Sequence, residues 1–105
     1  MLVAAVEAGA EVSIPAVVIA ETVRGAATDA PANRVVNAVG QVDVVDGGIG
    51  RTAGRLLGQV GSSSTVVAIV VATAVEAAGA VILTGDPKDL GALASRHREV
   101  VVQAL

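Results

Sequence analysis

The sequence predicts an α/β fold: one domain over residues 1–105, built on a parallel sheet covered on both faces, with its first strand missing. Three observations lead there. Short apolar segments of strand length alternate with helical segments joined by short connections, which is the pattern of parallel sheets with helical crossovers. The run Ala80–Thr84 is continuously apolar, as expected of a strand buried on both faces. A chain of 105 residues suits a single domain, yet it opens on Leu2–Ala8, which reads as the tail of a helix closed by Gly9 rather than as a strand.

The remaining elements follow in order. Glu11–Ile14 is a short strand. Pro15 suits the first turn of a helix, which carries Val17, Val18, Glu21 and Val23 and stops at Gly25. Pro31 opens another helix, ended by Gly40. Val42–Val45 is a strand, and Asp46 is a good N-cap for the next helix. Ile49, Ala53, Leu56, Leu57 and Val60 then recur with helical periodicity on one face. Ser62–Ser64 supply a cap for a helix from Thr65 to Ala78, closed by Gly79. It is apolar nearly all round, so its place is in the core. After the Ala80–Thr84 strand come a helix over Pro87–Arg96 and a last strand over Val100–Gln103. No internal repeat, linker or low-complexity tail interrupts the succession.

Composition narrows the functional classes. Hydrophobic residues make up 53% of the chain, with no Phe, Trp or Tyr, so the core is built from Ala, Val, Ile and Leu. Each such side chain buries little area, at about 25 cal/mol per Å², and stability should be modest. With no cysteine, neither a disulfide framework nor a thiolate zinc site is available. The opening residues lack a basic n-region and meet Glu7 early, unlike a signal peptide. The most apolar run, Val66–Val75, is too short to span a bilayer. A soluble, cytoplasmic protein without a membrane partner is therefore expected. The net charge of −3 offers no general basic surface for nucleic acid, so RNA would need a bridging metal, a local arginine cluster or a basic partner.

The candidate chemistry lies in the segment AVILTGDPKDL, residues 80–90. Ligands of open α/β sheets bind beyond the carboxyl ends of the strands. Asp86 and Asp89 follow such an end, and two acids there could hold a hard cation such as Mg²⁺. Both also have a structural reading, Asp86 as N-cap and Asp89 as a first-turn acid facing the helix dipole. Other motifs carry less. The only histidine, His97, sits in the charged segment SRHRE and makes a poor partner for Ser62, Ser63, Ser64 or Thr65. GQVGSSST lacks the lysine of a phosphate-binding loop. Arg24, Arg51 and Arg55 read first as solvated helix residues.

Three segments together, EAGAEVSIPAVVIAETVRG (7–25), the helix beginning near Ser64, and VILTGDPKDL (81–90), resemble a PIN domain. The likeness is to the VapC-like toxin ribonucleases of VapBC toxin–antitoxin systems and runs along essentially the whole chain. It implies a three-layer α/β/α PIN-like domain, hydrolysis of RNA phosphodiesters with Mg²⁺ or Mn²⁺, and a cognate antitoxin or a second copy of the chain as partner. Acids come from four places in that family. Glu21 matches the one on the helix after the second strand, and Asp86 with Asp89 the pair after the fourth, so these three are the expected catalytic and metal-binding residues. The Asp that ends the first, central strand would lie upstream of Met1. In the buried helix, Val67 stands where a metal-facing Asp belongs, and Ser64 where relatives can carry a further acid. The resemblance thus implies an endoribonuclease whose activity is impaired, or an inactive domain that acts by binding.

Overall fold

The computed structural model describes residues 4–9, 11–60 and 64–104. The chain folds as β1 (Ala4–Ala8), β2 (Glu11–Pro15), α1 (Ala16–Thr22), a 3₁₀ turn (Ala27–Asp29), α2 (Ala30–Val39), β3 (Val42–Asp43), α3 (Gly47–Val60), α4 (Thr65–Glu76), β4 (Ala80–Thr84), α5 (Pro87–Ala94) and β5 (Val100–Ala104). The five strands form one sheet in the order β3-β2-β1-β4-β5.

The opening segment corrects the expectation of a helix tail. Ala4–Ala8 is a strand, and it occupies the centre of the sheet, the place from which a strand was expected to be missing. It pairs antiparallel with both neighbours, Val6 opposite Ser13 of β2 and opposite Ile82 of β4. The β2–β3 and β4–β5 pairs are parallel. The sheet is therefore mixed, with one central strand against four that run together, not parallel throughout. Two residues connect Ala8 to Glu11, and Gly9 at φ +63° takes the left-handed conformation that so short a hairpin demands. The alanines of β1 favour a helix locally. Strand pairing on two sides outweighs that preference, because it satisfies the backbone and buries Ala4 and Val6.

Side chains alternate across the sheet. On one face Ala4, Val6, Ala80, Ile82 and Val100 are buried. α4 and α5 pack on this face, and α3 packs against α4. α4 is the core helix, as its all-round apolar sequence requires, with Val70, Val71, Ala72 and Ala74 fully buried. On the other face Ala5, Val81 and Leu83 are only half-buried and Val101 is exposed, so the two faces are covered unequally.

Several boundaries move for local reasons. α4 ends at Glu76, two residues short of the expected limit. Ala78 takes φ 59° and Gly79 φ 116°, a reversal into β4. A Cβ at Gly79 would come within 3.3 Å of the Glu99 carbonyl oxygen, so glycine permits the close approach to the start of β5. β3 is confined to Val42–Asp43 rather than extending to Val45. α5 stops at Ala94 rather than Arg96. Of the three serines expected to cap α4, Ser62 and Ser63 lie outside the described residues. Ser64 is the cap, its Oγ accepting the Val67 N–H at 3.3 Å. Among the described residues, no single helix is long and apolar enough to cross a membrane.

Candidate functional site

β2 and β4 flank β1 and are both antiparallel to it, so they run in the same direction and end on the same side of the sheet. The segments carrying the three candidate acids leave from these ends. Beyond β2, the fully buried Pro15 fixes the backbone entering α1. Glu21 is near the end of that helix and exposed. Its Oε2 meets Arg24 Nη2 at 3.4 Å, while Arg24 Nε also donates to the Glu21 carbonyl. Such an exposed pair is worth about 1 kcal/mol or less.

The arginine is placed by a residue that the sequence reading did not single out. Asp29 is buried, and its Oδ2 accepts the backbone N–H groups of Arg24 at 2.9 Å and Ala26 at 2.8 Å. One carboxylate thereby holds the loop between α1 and α2. An Asp immediately ahead of Ala-Pro, at a helix start, was the available signal.

Beyond β4, the wholly buried Thr84 offers its Oγ1 to the Asp86 N–H at 2.9 Å, which turns the chain toward α5. Asp86 occupies the N-cap position, yet its side chain makes no cap hydrogen bond, contrary to the expected capping role. It is half-buried, and among the described residues its carboxylate has no hydrogen-bond or ion-pair partner. Asp89 is exposed in the first turn of α5, where a negative charge suits the helix dipole. In the first turn of α4, Val67 is 5% exposed and adds no polar group.

These acids leave from one end of the sheet without forming a ready metal site. Among the described residues, no group of three or more His, Asp or Glu side chains is placed to hold a metal ion. The donor set of Glu21, Asp86 and Asp89 does not fit Mg²⁺ or Mn²⁺ as a preformed three-carboxylate site, and no hydrolytic step through a metal is derived from it.

The remaining polar groups are engaged elsewhere. Thr52, buried on α3, donates its hydroxyl to Glu76 Oε1 of α4 at 2.5 Å and accepts from Arg55 Nη2 at 3.0 Å. His97 Nδ1 lies 3.2 Å from Glu99 Oε1. The Glu99 carboxyl is held below its ordinary value, first by a hydrogen bond from its own backbone N–H, which desolvation opposes, and then by the hydrogen bond and charge of His97. Thr52, Arg55, Glu76 and His97 share a cavity of about 150 Å³ that none of the three candidate acids lines.

Comparison of the chain with protein-family models, with curated proteins and with solved structures gives no match.

Proposed function

We propose that this chain is a PIN-like domain of the VapC toxin class, in which Mg²⁺- or Mn²⁺-dependent hydrolysis of RNA is impaired. The three-layer arrangement of that class and a cytoplasmic setting belong to the same proposal. The observation that carries it is the common direction of β2 and β4. It sends the segments bearing Glu21 and Asp86 out from one end of the sheet, in the chain order that the resemblance requires. The unpartnered carboxylate of Asp86 adds support, because an acid kept only for capping would accept helix N–H groups.

A second reading, a domain that acts by binding an antitoxin or a second copy of itself, draws on a different observation. Val67 is buried and apolar where the chemistry needs a carboxylate, and the three remaining acids form no metal-ready group. Phosphodiester hydrolysis needs charge neutralised on phosphorus oxygens and water converted to a nucleophile. Sparse ligands weaken both.

One experiment separates the readings. Cleavage of a structured RNA with Mn²⁺ is measured for the unaltered chain, for Val67→Asp and for Val67→Asp combined with Asp86→Ala. Cleavage that rises with Val67→Asp and vanishes with Asp86→Ala establishes a weakened nuclease. No cleavage by any folded variant overturns that reading and leaves binding. Co-purification with the product of the adjacent upstream gene then tests for the antitoxin.

A further inference from the structure

A second cavity, of about 380 Å³, opens beside β3 between the sheet and the C-terminal half of α4. Val6 and Ile49 contribute apolar wall, and Glu11, Asp43, Asp46 and Glu76 contribute four carboxylates. Among the described residues, no Lys, Arg or His side chain lines it. Three of the acids are oriented by neutral donors: Asp43 by the Ser13 hydroxyl, Asp46 by the Ile49 N–H at 2.9 Å, and Glu76 by Thr52. These donors orient the carboxylates without ion pairing them, although Arg55, which donates to the Thr52 hydroxyl, flanks Glu76 from the neighbouring cavity.

The cavity adjoins an open edge. Among the described residues, β3 is the outermost strand on its side of the sheet, and no other strand lies beyond it. The chain here reads Val42-Asp43-Val44-Val45, and the valines are exposed to 43%, 75% and 43%. Asp43, Val44 and Asp46 line the cavity, whereas Val42, one residue before Asp43 in the strand, does not and faces the other side of the sheet.

We propose that this edge binds a basic, extended segment of another protein as an added strand, in which apolar and lysine or arginine residues alternate. Main-chain hydrogen bonds to β3 supply affinity, and alternate side chains supply selectivity. The apolar side chains cover the exposed Val42. The cationic side chains enter the cavity, lay their methylene stems along Val6 and Ile49, and bring their charge to the carboxylates. Charge complementarity selects this occupant. Four carboxylates repel RNA phosphate, and this chain contains no alternating apolar and basic segment of its own. The inference is independent of the nuclease reading, since Glu21, Asp86 and Asp89 do not line the cavity.

The test is an NMR titration of the ¹⁵N-labelled chain with an end-capped heptapeptide of alternating valine and lysine. The expected result is a saturable shift of the Val42–Asp46 amides, absent with the glutamate counterpart of the peptide. Asp43→Asn and Glu76→Gln, which keep their internal hydrogen bonds, should each weaken binding about fivefold, the upper range for a partly exposed ion pair. Val44→Lys, at the most exposed valine, should abolish binding in a chain that still folds. Glu7→Gln, exposed on the opposite sheet face, should leave it unchanged. Absence of a saturable shift overturns the proposal. So does equal weakening by Glu7→Gln, which would mark diffuse charge attraction.

Discussion

Thr84 and Asp86 are tied by a hydrogen bond from the Asp86 N–H to the Thr84 hydroxyl, 2.9 Å long, and the threonine is wholly buried. The bond closes the turn between β4 and α5, and so sets where the Asp86 carboxylate stands. Thr84→Val keeps the shape and removes the acceptor. It should destabilise the fold by about 1 kcal/mol, the net worth of one hydrogen bond whose donor sits on the half-buried Asp86. Thr84→Ser should recover most of the loss. Urea unfolding of the three chains, followed by circular dichroism, checks both.

Asp29 should matter more for stability than any of the three candidate site acids. Its one oxygen Oδ2 accepts two backbone N–H groups from a buried position. Asp29→Ala should cost about 2 kcal/mol or more, given that hydrogen bonds to a charged group exceed neutral ones. Asp29→Asn, which still offers an oxygen, should lose about half as much. Midpoints of urea unfolding for the two variants provide the comparison.

Val67→Asp should lower stability as well as probe activity. Val67 is 5% exposed, and an unpaired carboxylate there should cost about 3 kcal/mol. Its pKa should rise on burial, so the loss grows as pH rises and the acid ionises. If the new acid completes a cation site with Asp86, Mn²⁺ should restore part of the melting temperature. A melt indifferent to Mn²⁺ would exclude such a site.

Glu99 should titrate below the ordinary glutamate value of 4.5. The largest cause is its own backbone N–H, desolvation opposes it, and His97 lowers the value further by hydrogen bond and charge, so His97→Ala should raise the Glu99 midpoint toward the ordinary value. The sign follows from linkage. A carboxyl whose folded value is depressed contributes stability above its unfolded pKa, and that contribution is lost as pH falls through the folded value. Carboxyl ¹³C shifts recorded across acid pH give both midpoints.

The site was legible in the sequence only as residue types in order. Asp86 and Asp89 were visible because a strand of apolar residues ran directly into them. Glu21 stood out only through the resemblance, since an exposed glutamate on a helix is ordinary. Asp29 and the Ser13–Asp43 contact were not legible. The donors of the first are backbone groups in a loop, and the partners of the second are thirty residues apart in the chain.

By itself the sequence determined the elements whose signals are local. Periodicity placed α3, the Ser64 cap began α4, and uninterrupted apolar residues identified β4. It also determined an aromatic-free core of small branched side chains. Tertiary structure decided the identity of β1, the mixed direction of the sheet and the unequal covering of its faces. The reason is that Ala4–Ala8 has a local preference for helix, whereas the pairing that makes it a strand comes from β2 and from β4, the latter more than seventy residues away. A pattern read along the chain registers the preference of a segment but not the hydrogen-bond partners waiting on either side of it.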